Sequence, residues 1–285
     1  MKAFFENQHN YETIPFSVMI SDNLNFLPHW HVEVEMILVL DGMIEMGINT
    51  ERKRLHPGDF AVSFSNDIHS YTTAEESSVI LIKFLPEFVD GTGMWQKNHR
   101  LLYPFISNSA YAKTMLCKDI HGEMTRLIHG ILNEERLQAD CYTWMIKGKL
   151  LELCAILLRH LPKAHADQES KHAQSVSGIR LVRAALQYIE ENCTRNITLD
   201  EISKRMNLSP YYFSRLFNQV TGMNLKSYQN LLRLNKAESM ILGENAPITE
   251  IAFECGFNSL RTFNRWFRLM KGFSPSELRK NHTYP

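Results

Sequence analysis

The sequence predicts an α+β protein: an N-terminal β-barrel with a helical hairpin, then an all-α C-terminal domain carrying two helix-turn-helix motifs. Three observations lead there. Short β-rich runs fill residues 14–90, the apolar spacing changes to three and four residues after Gly93, and a ten-residue pattern near the C-terminus occurs twice.

The β-rich runs are "SVMI", "VEMILVL", "MIEMGI", "FAVSF" and "SVILIKFL", separated by turn signals at Asp22-Asn23, Asp41-Gly42, Pro57-Gly58-Asp59 and Asn66-Asp67. Short strands at near-regular spacing predict a small antiparallel barrel or double-sheet sandwich over residues 1–92. The hairpin is expected over 93–161, from "AKTMLCKDIHGEMTRLIHGILNEE" and "CYTWMIKGKLLELCAILLRHL". Its second helix is apolar over a wide arc (Trp144, Met145, Leu150, Leu151, Leu153, Ile156, Leu157), enough for one face on the barrel and another on a second subunit. Packing within one chain is the plainer alternative. The polar run 162–177, "PKAHADQESKHAQSVS", reads as a linker, and 178–285 as the second domain.

Charge divides the chain at that linker. Residues 1–175 hold 16 Lys and Arg against 22 Asp and Glu, a net of −6, and residues 176–285 hold 15 against 9, a net of +6. A basic C-terminal third is the electrostatic precondition for binding a polyanion. No run of about 20 apolar residues is present, so no membrane span is expected. The start "MKAFFENQHNYE" lacks a signal peptide's apolar core, and the five cysteines form no CxxC pair. Both features suggest a cytoplasmic protein with reduced thiols.

The repeat compares "FSRLFNQVTG", residues 213–222, with "FNRWFRLMKG", residues 263–272. Phe213, Arg215, Phe217 and Gly222 return as Phe263, Arg265, Phe267 and Gly272. Each copy follows a short helical segment and a tight turn, "TLDEISKRM" then "NLS", and "ITEIAFEC" then "GFN", which is the helix-turn-helix order. Ser209-Pro210 supplies an N-cap and a first-turn proline, Thr198/Glu201 and Ser274/Glu277 have capping-box spacing, and Gly222, Gly256 and Gly272 stand where helices should end.

At 100° per residue Phe213, Leu216, Phe217 and Val220 share an inner face, as do Phe263, Trp266, Phe267 and Met270. Tyr211, Arg215 and Asn218, flanked by Ser214 and Gln219, point outward in the first copy. Arg261, Arg265 and Arg268, flanked by Asn264, do so in the second. Arginine pairs with guanine and asparagine with adenine in the major groove, so double-stranded DNA is the expected partner. Outward arginines alone usually mark a solvated surface; two tandem copies in a basic domain outweigh that reading. The connector Lys226–Leu242 would span roughly 25 Å as a helix, enough to set the second helices about one DNA turn apart.

Residues 178–280, and above all "LSPYYFSRLFNQVTGMNLKSYQNLLRLNKAESMIL" and "ITEIAFECGFNSLRTFNRWFRLMKGFSPSELR", resemble the AraC/XylS family of bacterial transcription regulators. The resemblance implies base contacts from Tyr211, Ser214 and Arg215, then from Leu260, Arg261, Thr262 and Arg265. Leu260 departs from the polar residue often found there. The segment "HWHVEVEMILVLDG" with "LHPGDFAVSFSNDIHSY" resembles the cupin-type sensor domain of the same family. This implies a ligand-responsive regulator with RNA polymerase and a second copy as partners, often an activator of carbohydrate genes.

In one continuous strand His29, His31, Glu33 and Glu35 would share a face opposite Trp30, Val32, Val34 and Met36. Resemblance places His69 as a third histidine, and His29, His31, Glu35 and His69 then match the ligand set of metal-binding cupins. Three readings stand: these residues with Glu33 bind an organic effector, a sugar being preferred, with Trp30 or Tyr71 as a stacking surface; they hold a divalent metal; or they are a structural network. An enzyme fused to a DNA-binding domain is the alternative function, against which no GxGxxG, P-loop or GxSxG is present. A protein-interaction module is the third. The expected answer is a regulator that is not an enzyme.

Overall fold

The computed structural model describes residues 15–73, 76–92, 101, 104–107, 120–162, 169–243 and 246–283, without the side chains of 169–176 and 281–283. The described residues divide into two compact units, one up to Ser177 and one from Gly178 on.

In the N-terminal unit β1 (Phe16–Asp22), β8 (Ser77–Phe84), β3 (Val34–Gly42), β6 (Phe60–Ser63) and β9 (Phe105–Ile106) form one antiparallel sheet in that order. A second sheet runs β2 (Phe26–His29), β7 (His69–Thr72), β4 (Ile44–Ile48), β5 (Glu51–Leu55). Ile37, Val39, Ala61, Val79 and Leu81 of the first sheet share a core with Ile44, Met46, Ile48 and Leu55 of the second. On the opposite face Met36, Leu38, Val62, Ile80 and Ile82 pack against the helices. A sheet buried on both faces needs apolar residues at every position, which is why "VEMILVL" and "SVILIKFL" do not alternate.

A short helix α1 (Pro86–Asp90) follows β8, and the hairpin is α2 (Ile120–Leu137) and α3 (Tyr142–His160). Leu127, Ile128 and Ile131 of α2 and Leu150, Leu153, Ile156 and Leu157 of α3 join the sheet's core. The wide arc of α3 is therefore split: Trp144 (81% exposed), Met145 and Leu151 remain in solvent. Two differences from the sequence reading appear. The region expected to be only hairpin contributes β9, which pairs with β6. Helix α4 (Glu169–Glu191) begins inside the expected linker, whose "ESKHAQSV" contains no proline or glycine and several strong helix formers.

The C-terminal unit continues with α5 (Leu199–Arg205), α6 (Pro210–Thr221), α7 (Leu225–Gly243), α8 (Ile248–Glu254), α9 (Leu260–Lys271) and α10 (Pro275–Thr283). Thr198 caps α5 and Ser209 caps α6, each accepting from an amide three residues on. At Ser274 the capping box is complete, with both reciprocal bonds made, at 2.6 and 3.2 Å. At Thr198 only half forms, because the Glu201 carboxylate is drawn to Arg195 and Tyr188. Gly222, Gly256 and Gly272 all have positive φ. In the first turn the left-handed position is taken by Asn207, and Leu208 N donates back to Ser203 as Phe257 N does to Ala252. The second turn, 255–259, is one residue longer than the first, 206–209, and Ser259 caps its helix.

Among the described residues no helix is long and apolar enough to cross a membrane. Cys141, Cys154, Cys193 and Cys255 are free thiols, and Cys117 lies outside the described residues.

Candidate DNA-reading face and histidine cluster

Helices α6 and α9 divide their faces nearly as the repeat predicts. Phe213, Phe217 and Val220 are buried, with Leu216 half-buried; Phe263 and Phe267 are buried, with Trp266 half-buried. Tyr211, Ser214, Arg215, Asn218 and Gln219 are exposed on α6, and Arg261, Asn264, Arg265 and Arg268 on α9. Two expectations need correction. Met270 is 40% exposed rather than inward, because the last turn of α9 overhangs its core, where Val220 of the first copy is covered. Leu260 is half-buried against Phe263 and its neighbours, so it leans on the core instead of standing on the outer face. Thr262 is also half-buried, and its Oγ1 accepts from the N-cap Ser259 hydroxyl at 2.9 Å.

Arg265 and Arg268 also line an open groove with Asn264, Ser274 and Ser276, at the start of α10. Positive charge beside a helix N-terminus suits a phosphate. α7, at 19 residues, spans about 28 Å between the two motifs.

In the other unit the four predicted donors do come together. His29, His31, Glu35 and His69 are each 1–2% exposed, and one ligand atom from each lies within 4.8 Å of all the others. The route differs from the single polar strand face that alternation suggested. β2 stops at His29, the chain bends at Val32 and Glu33, and Glu35 belongs to β3 in the other sheet. Val32 is exposed and Glu33 buried beside His31, so the cluster is assembled from two sheets. Trp30 is buried. Tyr71 donates its hydroxyl to Glu35, and its ring lies nearly perpendicular to that of His69, centroids 5.9 Å apart.

Each histidine directs Nδ1 to a backbone carbonyl: His29 to Leu27 at 2.8 Å, His31 to Glu33 at 3.2 Å, His69 to Asp67 at 2.9 Å. This leaves the Nε2 atoms for the centre, with His31 Nε2 3.1 Å and His69 Nε2 3.4 Å from the Glu35 carboxylate. Burial depresses the His31 pKa, but hydrogen bonds to Glu33 and Glu35 outweigh it and lift it to about 9. Burial, with His69 beside it, holds His29 well below the ordinary histidine value. Burial would raise Glu35, yet His69, Lys83 and the hydrogen bond from His31 pull its carboxyl well below the usual range.

Two members of the cluster were missed. Lys83 Nζ lies 3.1 Å from Glu35 Oε2, and Ser63, paired with Glu35 across β3–β6, has its Oγ buried without a hydrogen-bond partner among the described residues. The signal for Lys83 was legible: it is the one charge in the apolar run "SVILIKFL".

Residues 202–281 match the helix-turn-helix domain family and residues 20–84 the cupin domain family. The melibiose operon regulatory protein of Escherichia coli (strain K12) is 24% identical over 258 residues, covering 88% of this chain and 83% of that protein. Together these matches support an AraC-type transcriptional regulator with an N-terminal cupin domain. The transcriptional activator RhaR of Yersinia pseudotuberculosis is 23% identical over 255 residues, covering 90% of this regulator and 85% of that protein. Among solved structures, the C-terminal domain of AraT, a response regulator from Geobacillus stearothermophilus, is 30% identical, covers 37% of this chain and 90% of that one, and has a TM-score of 0.35. The regulator is thus a DNA-binding protein with a cupin domain placed N-terminal to its helix-turn-helix domain.

Proposed function

We propose that the regulator is a cytoplasmic, effector-responsive activator of carbohydrate-related genes and has no catalytic role. The observation that carries this reading is the pairing of two exposed Arg/Asn helix faces with a separate unit whose polar side chains gather in its interior. Likeness to a melibiose operon regulator favours a saccharide as the effector. Tyr211, Ser214, Arg215 and Asn218, then Arg261, Asn264, Arg265 and Arg268, read the DNA, with Thr262 and Leu260 at the margin. An effector switches the protein only if it binds one arrangement of the chain better than the other. Thermal melting of the full chain against a saccharide panel, with and without a chelator, tests this. A rise with one saccharide that survives chelation and changes DNA affinity is expected; a chain indifferent to every saccharide sinks the carbohydrate reading.

A specific observation favours a second component, a divalent metal held by His29, His31, Glu35 and His69. Donor atoms within 4.8 Å of one another leave room for an ion, not for a sugar ring. Nδ1 atoms bonded to backbone carbonyls orient imidazoles as metal ligands are oriented. Lys83 opposes an ion there, because its ammonium already neutralises Glu35. Lys83→Met should therefore tighten zinc or manganese binding by about tenfold, read by titration calorimetry. Weaker binding would overturn the opposition assigned to Lys83, and no binding by either protein would remove the metal from the reading.

The hairpin supports a homodimer. Trp144, Gly148, Leu151 and Ala155 are exposed on α3 at spacings of four, three and four, a seam suited to a second helix. Trp144→Lys should shift sedimentation from dimer to monomer. RNA polymerase is the further partner an activator requires.

A further inference from the structure

Residues 193–195, between α4 and α5, touch α5, α7 and the turn after α8. From α7, Gln229 Nε2 donates to the carbonyls of Cys193 and Arg195, at 3.3 and 2.6 Å. One turn later Arg233 donates to the same two carbonyls, Nε to Cys193 at 2.6 Å and Nη2 to Arg195 at 2.9 Å. Both side chains are buried. The Arg195 side chain ties the segment to the first motif through Glu201 on α5, at 2.6 Å. The second motif arrives at Gly256, where an added Cβ would lie 1.9 Å from the Thr194 carbonyl, and the Arg233 guanidinium sits 5.8 Å from the Phe257 ring.

A buried arginine answered by neutral carbonyls is an expensive way to gain stability, since aliphatic side chains of that volume stabilise a core at least as well. What a planar guanidinium adds is direction: its donors bond two fixed points only in one orientation. Here those points belong to the segment against which both motifs rest. The orientation matters because one base pair along DNA changes position by about 3.4 Å and rotation by about 35°. Small errors in the pose of α9 relative to α6 would thus misplace Arg261 and Arg265.

We infer that Arg233 and Gln229 are positioning residues that fix the spacing of the two recognition helices, so that the regulator reads a two-part DNA site of one set spacing. The test uses the full chain and duplexes that it selects from a random-sequence library. The selected site is rebuilt with one base pair added or removed between its halves. The unaltered chain should lose about 100-fold in affinity on either change. Arg233→Met should bind the selected site about tenfold more weakly and differ by no more than about threefold between spacings. A variant that keeps the full spacing penalty, whatever its overall affinity, overturns the inference, as does an unaltered chain that ignores spacing. Should Arg233→Met fail to melt cooperatively, Gln229→Leu is read the same way: a flattened spacing profile supports the lock and an unchanged one rejects it.

Discussion

The two functional regions handle charge in opposite ways. On α6 and α9 the arginines stand in solvent, and among the described residues only Arg268 has a carboxylate near it, Glu277 at 3.8 Å. In the barrel, His31, Glu35 and Lys83 are buried and held by one another. A surface meant for phosphates must keep its cations in solvent until DNA arrives, whereas a buried site must balance its charges before any ligand comes. The contrast teaches where substitutions are felt: in binding on one side, in folding on the other.

The largest effects should test that division directly. Glu35→Gln leaves Lys83 without its carboxylate and His31 with Glu33 alone, and should cost about 3–5 kcal/mol in chemical unfolding. A loss under about 1 kcal/mol would mean the cluster is not electrostatically bound together. Phe217→Ala, a cavity in the first motif's core, should cost about 3–5 kcal/mol as well, and an unchanged melting temperature would refute its inner placement. Arg265→Ala sits across the divide: it should leave melting unaltered while costing about 1–3 kcal/mol on a selected site. Equal loss on random DNA would make Arg265 a phosphate contact only.

Subtler is the pH dependence of chelator-treated protein. His31 is raised, so its contribution is full below the unfolded histidine value of 6.5 and is lost as pH climbs through about 9. His29 is lowered, so its contribution is present above 6.5 and lost as pH falls. The melting temperature should therefore peak near pH 6.5 and decline on both sides. A monotonic rise from pH 6.5 to 9 would break the pairing of His31 with Glu33 and Glu35.

Much of this was legible in the sequence, but unevenly. Helical periodicity is local, so the burial of Phe213 and Phe217 and the exposure of Arg215 could be read from spacing alone. Met270 escaped because periodicity does not say where the neighbouring core ends. Strand alternation grouped His29, His31 and Glu35 although no single strand carries them, and the cupin resemblance supplied His69; the bend at Val32 and Glu33 moves Glu35 to the other sheet and still aims it at the same centre. Lys83 and Ser63 meet Glu35 only through pairing between distant strands, which spacing along the chain does not encode.

The exposure of the groove-reading side chains has a consequence for how such a protein changes over generations. Substitutions at solvated positions seldom move stability by more than about 0.5 kcal/mol. Arg215, Asn218, Arg261 and Arg265 can therefore be exchanged, by selection or by an engineer, and the chain can adopt a new operator while remaining folded. The interior of the barrel allows no such drift, for each of its ionisable members is a neighbour's partner. The outer faces of α6 and α9 are the quickly evolvable part of this molecule, and the charged interior of the barrel the slow one.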